Sequence, residues 1–132
     1  GGSVMVYDER REVLQIKVAQ GLSDEIVSTT RLRRGEGLAG LAVGERSILL
    51  IDEQMADQRA QQRMHRKELA SSLIAPLTVD SAQEPFGVLS LRTTNSQRRF
   101  TKEHIELLRR LLDIASVALG NLSFNFSPRP SA

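Results

Sequence analysis

Hydrophobic positions alternate singly along the early part of the chain. In residues 13–19 (VLQIKVA), Leu14, Ile16 and Val18 stand against Gln15, Lys17 and Ala19, which predicts a strand with one buried face. Residues 3–7 (SVMVY) are short and rich in β-branched and aromatic side chains. Asp8, Glu9, Arg10 and Arg11 between the two runs predict an antiparallel hairpin that Gly21 ends. Ser23 followed by Asp24 and Glu25 is a helix cap with first-turn acids, predicting a short helix over residues 23–28. Residues 29–33 carry few apolar side chains and read as an edge strand. Leu38 to Val43 leave room for about two helical turns before Gly44, and residues 47–51 (SILLI) predict a buried strand.

Residues 54–69 contain no Gly or Pro, and Met55, Met64 and Leu69 are their only large apolar side chains, which predicts a weak helix or mobile loop over the core. Residues 72–79 (SLIAPLTV) and 86–91 (FGVLSL) are strands around a turn at 80–85, with Phe86, Val88 and Ser90 alternating with Gly87, Leu89 and Leu91. Thr101 then caps a final helix with Glu103 in its first turn. Between Ile105 and Leu122 the polar residues Glu106, Arg109, Arg110, Asp113 and Ser116 form one stripe, and the apolar arc left over is wider than packing on one sheet requires. The 132 residues make one domain over 1–122, with a disordered tail at 123–132 containing Pro128 and Pro130. No internal repeat is visible.

Gly35, Gly37 and Gly40 spell G-x-G-x-x-G, and an apolar run after them ends in Asp52, the outline of a dinucleotide-binding fingerprint. That fold needs an apolar parallel strand before the first glycine. Here Thr30, Arg31, Leu32, Arg33 and Arg34 precede it, and the six residues between Gly40 and Ser47 are too few for a crossover helix. The fingerprint reading fails.

The run 33–52 instead resembles the middle of GAF domains, where a G-E-G-x-x-G turn opens a short helix and a strand ends in Asp. The resemblance continues through SSLIAPLTV and FGVLSL, and through Arg99-Phe100-Thr101 to an apolar helix ending IASVAL. It includes the front, SVMVYDERREVLQIKVAQGLSDEI, and so covers nearly the whole chain. GAF domains usually begin with a helix ahead of the first strand, and this sequence starts almost at that strand, an expectation that the matching surface stays open to a partner. The resemblance implies an α+β, GAF/PAS-like fold: a central antiparallel sheet of about five to six strands, a long C-terminal helix on one face, and short helices and loops roofing a ligand pocket on the other.

Composition narrows the chemistry. Cysteine is absent, which removes disulfides, thiolate metal sites, thiol nucleophiles and thioether-linked chromophores together. The cysteine-dependent methionine-sulfoxide reductases of this family and bilin attachment are therefore not expected. Asp52 and Glu53 point to opposite faces of a strand and make no acid–base pair; Ser71, Ser72 and His65 have no triad spacing. We expect no enzyme. A net charge of +2, 4% aromatic residues and acids interleaved with the bases argue against nucleic acid, and no apolar stretch is long enough to insert in a membrane.

Three ligand classes bear on the remaining residues. Asn95 and Phe100 occupy two places of the cyclic-nucleotide GAF motif, but its Asp-Glu step is missing, and Phe100 reads as an anchor before the helix. His65 could serve as an axial haem ligand in the roof segment, against the simpler reading of a surface histidine among Arg63, Arg66 and Lys67. Those bases with Arg59 put positive charge over the pocket mouth, which favours an anionic ligand, against the simpler reading of a solvated basic face. The leading expectation is a non-catalytic, cytoplasmic, bacterial sensory GAF domain of a larger signalling protein, with no permanently bound cofactor and no metal. Its small molecule would meet Gly35, Gly37, Leu38, Gly40 and Leu41, with Asp52 as a polar contact. The floor would be the Ile74, Pro76, Leu89 and Leu91 set or the alternate set of the same strands. The alternative is a dimerisation or interaction module with a vestigial pocket.

The last helix carries a further expectation. Ile105, Leu108, Leu112, Ala115 and Leu119 suffice to pack on the sheet, which leaves Leu107, Leu111, Ile114 and Ala118 as a second stripe at 3–4 spacing. That stripe predicts a homodimer and a helical link to other domains of the parent protein.

Overall fold

The computed structural model describes residues 1–52, 71–79, 84–95 and 97–126, with side chains as far as Ala118. The expected roof segment at 54–69 with its His65 and basic cluster, Glu53, and the last residues of the tail lie outside them. The elements in chain order are β1 (Gly2–Tyr7), β2 (Val13–Gln20), α1 (Asp24–Thr29), β3 (Arg31–Arg33), α2 (Gly37–Glu45), β4 (Leu49–Asp52), β5 (Ser71–Leu77), β6 (Gly87–Thr93) and α3 (Lys102–Phe126). The strands form one six-stranded sheet of order β3-β2-β1-β6-β5-β4, antiparallel at every pairing. This is the α+β arrangement that the resemblance implied, with β3 at an edge.

Local chemistry sets the turns. Asp8 shapes the first hairpin: its Oδ1 accepts the Glu12 and Val13 N–H groups at 2.9 and 3.4 Å, and its carbonyl takes that of Arg11 at 2.9 Å. The Ser23 Oγ accepts the Ile26 N–H at 3.2 Å, the cap that its position predicted for α1. At the start of α3 the Thr101 N–H donates to His104 Nδ1 at 2.8 Å, so histidine fills the role that Glu or Gln plays in a capping box.

The sheet is covered on both sides, and β5 shows how. All of Ser71 to Ala75 are buried. Ile74 packs with Met5, Leu14, Ile51 and Val88 under α2, whereas Leu73 and Ala75 meet Leu108 of α3. The α2 layer can lie close because its buried residues, Ala39, Gly40, Leu41 and Ala42, are mostly small. The α3 layer is lighter. Among its described side chains only Leu108, 7% exposed, is buried; Ile105 and Leu112 are half-buried beside it.

Two boundaries differ from the sequence reading. α2 continues through Gly44 to Glu45 and stops at Arg46, whose N–H reaches the Ala42 and Val43 carbonyls. One glycine costs a helix only about 1 kcal/mol, so the turn at Arg46, not Gly44, decides the end. α3 runs to Phe126, past the expected limit at Leu122, because Asn121 to Asn125 contain no helix breaker; the prolines come later. No helix among the described residues is long and apolar enough to cross a membrane.

Candidate functional site

The glycine turn between β3 and α2 is explained by backbone geometry. Gly35 and Gly37 hold φ of 86° and 68°, the left-handed region that side chains disfavour. Gly40 sits in the first turns of α2 directly against Gly35. A Cβ on Gly40 would lie 2.3 Å from the Gly35 carbonyl carbon and 2.7 Å from its oxygen. Two glycines therefore turn the chain and the third lets the helix pack back on that turn. The glycines of a dinucleotide fingerprint do similar mechanical work around a pyrophosphate; here the close approach is chain to chain.

The expected ligand residues divide between places. Gly35, Gly37, Leu38, Gly40 and Leu41 gather on the α2 side, where Leu41 is buried and Leu38 packs against the same cluster. Ile51 and Ile74 lie on the α2 side, so Asp52, which follows Ile51 in β4 and pairs with Ser71, turns to the α3 side. Leu89 and Leu91 do not join Ile74. Directly paired residues of antiparallel strands share a face; Ile74 pairs with Ser90 and Leu89 with Ala75, so Leu89 and Leu91 lie on the α3 side. The expected floor set mixes two faces of the sheet.

The remaining candidates have structural roles. Asn95 caps its own turn, its Oδ1 accepting the Gln97 N–H at 2.9 Å. Phe100 packs in the α3-side cluster and meets the His104 ring edge-on, with centroids 5.7 Å apart. That is the anchor expected of it, away from the α2 side. His104 is exposed. Tyr7 was not singled out by the sequence, yet it packs against the α2-side cluster with its hydroxyl buried and, among the described residues, unpartnered. Burial raises its phenol above the ordinary 10.0, with the Arg34 guanidinium opposing and the Glu84 carboxylate adding to the rise. Arg34 and Glu84 themselves form an ion pair about half exposed on each side chain. Among the described residues no group of three or more His, Asp or Glu side chains could hold a metal.

On the opposite side the helix and sheet leave apolar surface open. Leu107, Leu111, Ile114 and Val117 of α3 are 57%, 53%, 68% and 67% exposed, and Val18 of β2 is 65% exposed. Ala118 is exposed beside them. A shallow hollow of about 750 Å³ covers Val4, Val18, Leu89 and Leu91 next to Phe100. A second, tighter cleft of about 360 Å³ forms where the α2–β4 turn, the end of β5 and α3 meet. It carries Arg46, Arg109 and Asp113 around Ile48, Pro76 and Leu112. Of the expected floor residues, Pro76 lines this cleft, and Leu89 and Leu91 line the shallower hollow. Arg46 takes φ 53° and ψ 39°, a left-handed position at a helix C-cap that usually belongs to glycine or asparagine. An arginine there costs on the order of 1 kcal/mol. The sequence offered no signal for this cleft, because its charged residues come from distant segments.

The second GAF domain of DevS from Mycobacterium smegmatis is 23% identical and superposes with a TM-score of 0.69, covering 94% of this chain and 82% of that one. A methyl-accepting chemotaxis protein is 18% identical with a TM-score of 0.67, covering 96% and 81%. A type II free methionine-R-sulfoxide reductase from Thermoplasma acidophilum is 18% identical with a TM-score of 0.61, covering 95% and 79%. At such identities the likeness shows the fold, and it spans signalling proteins and an enzyme alike. Among curated proteins, none matches. The GAF domain family model matches residues 1–120, nearly the whole chain, and the protein belongs to the GAF family.

Proposed function

We propose that this GAF domain is a non-catalytic sensory module of a bacterial, cytoplasmic signalling protein, which pairs with a second copy through α3. The observation that carries the reading is the face of α3 turned away from the sheet. Leu108 anchors the helix while Leu107, Leu111 and Ile114 stay more than half exposed at 3–4 spacing. Ala118 continues the stripe. Four such side chains in water forgo on the order of several kcal/mol at about 25 cal/mol per Å². A helix pairing through this stripe recovers that term and carries a change in helix position to whatever domain follows it. Likeness to a chemotaxis protein supports a signalling role; the absence of cysteine removes the thiol chemistry open to GAF enzymes.

The ligand of this reading binds on the α2 side, near Gly35, Gly37, Leu38, Gly40, Leu41 and Ile74. Its identity is open, and no permanently bound cofactor is called for. Light scattering at micromolar protein tests the pairing: a dimer that Leu111→Glu converts to a folded monomer supports it, and a wild-type monomer refutes it. A second reading, a dimerisation module with a vestigial pocket, is favoured by Leu38 and Leu41 packing in the core. Native mass spectrometry of protein purified from a bacterial host separates the two, since a retained small mass sinks the vestigial pocket.

A further inference from the structure

We infer that the cleft between the α2–β4 turn, the end of β5 and α3 is a second binding site, for an α-amino acid with an apolar side chain. None of the residues of the ligand position proposed above lines this cleft, so the two readings can fail separately. The cleft holds about 360 Å³, the low end of small-molecule sites, which limits the occupant to a metabolite of amino-acid size.

The charges there have both signs and come from different elements. Arg46 stands on the α2–β4 turn; Arg109 and Asp113 stand one turn apart on α3. A simple anion would leave Asp113 opposed, and a simple cation would face two guanidinium groups. A zwitterion satisfies both, its carboxylate going to the arginines, whose planar forks match it, and its ammonium to Asp113. Arg109 already binds Glu106 Oε1 through one nitrogen at 2.5 Å. A guanidinium carries five N–H donors, so this contact leaves others to give. The pair is mostly exposed, 55% and 61%, and readily shared.

The rest of the lining fixes the side chain. Ile48, Leu77 and Leu112 give an apolar wall. Ser116 donates its hydroxyl to the Val79 carbonyl at 2.8 Å, so toward a ligand it can only accept, from an ammonium for instance. Arg46 keeps a left-handed backbone where glycine would be easier, the kind of local strain that marks functional positions. Such a ligand would bridge α3 to the turn at the sheet's edge. Among the described side chains of α3 only Leu108 is buried against the sheet, so the occupant would add directly to its docking.

The test is a two-dimensional amide NMR titration of the full chain with L-leucine, isocaproate and isoamylamine, which share the alkyl group and differ in charge. At about 10 mM probe, roughly ten times a millimolar Kd, L-leucine should shift Ser47, Ile48, Leu112 and Ser116. Isocaproate and isoamylamine should bind at least tenfold more weakly. Arg46→Gly suits the left-handed turn and keeps the fold, yet should weaken L-leucine at least tenfold; Arg109→Gln should do the same. No shift at the cleft with L-leucine, equal binding of isocaproate, or unchanged binding by folded Arg46→Gly overturns the inference.

Discussion

Replacing Gly40 with alanine tests the account of the glycine turn. In an ordinary helical position Gly→Ala stabilises by about 1 kcal/mol, because alanine loses less backbone entropy. At Gly40 the new Cβ would stand 2.3, 2.7 and 2.8 Å from the carbonyl carbon, oxygen and Cα of Gly35. Carbon atoms settle at about 3.5–4.0 Å, so the helix and the turn must separate by about 1 Å. Neither side is a flexible side chain that could swing away. Overpacking of this kind costs up to about 3 kcal/mol, leaving a net loss near 2 kcal/mol after the helical gain. Gly44 lies in the same helix with nothing within 4 Å of its Cβ position, and Gly44→Ala should therefore stabilise by up to about 1 kcal/mol. Urea unfolding of both variants gives the comparison, and in thermal melts the two should move apart by roughly 4 °C per kcal/mol. If Gly40→Ala is as stable as Gly44→Ala, the close approach is not what the glycine is for.

Further expectations follow from single sites. Leu108→Ala should cost about 2–5 kcal/mol in urea unfolding, as a buried leucine does, and should raise amide exchange along α3 first; protection unchanged in α3 would show that this residue does not anchor it. Leu107→Glu, at a position 57% exposed, should leave monomer stability within about 0.5 kcal/mol while reducing the dimer fraction in light scattering. Ser23→Ala should cost about 1 kcal/mol by removing the Ile26 cap bond, read from the urea midpoint. Tyr7 is the one tyrosine and tryptophan is absent, so its phenolate absorbance titrates alone. Its folded value lies above 10.0, so the unfolded chain releases this proton first and stability should fall as pH rises beyond 10; a midpoint no higher in native protein than in urea would refute the burial.

Much of the fold was legible because local signals were strong. Asp8 and the alternation in VLQIKVA announced the first hairpin, and Ser23 announced α1. The polar stripe from Glu106 to Ser116 left no doubt about a long helix with more apolar surface than one sheet consumes. Helix ends were less legible. Gly44 looked like a stop, but a glycine inside a helix costs only about 1 kcal/mol, and this helix ends two residues later at Arg46. Ser116 read as part of a solvated stripe, yet its hydroxyl folds back to Val79, a contact with a segment far away in sequence.

The candidate site was harder to read for a physical reason that β5 and β6 make plain. Period-two alternation assigns faces only when one face is polar. In β5, Leu73 and Ala75 on one side and Ile74 on the other are all buried, so the sequence separates two sets without saying which layer covers which. The decision belongs to long-range packing: the small residues of α2 lie over Ile74 and Val88, and Leu108 of α3 takes the other side. Once that is known, Leu89 follows Ala75 by register, and the mixed floor set falls apart without further argument. The glycine motif shows the converse. Three glycines pointed to turns, and Gly35 and Gly37 make them; Gly40 stands inside α2 and serves a close approach, the other task of a residue without a side chain. What approaches the glycine, a pyrophosphate or the chain's own backbone, is settled only by the fold around it, and here Gly35 occupies that place.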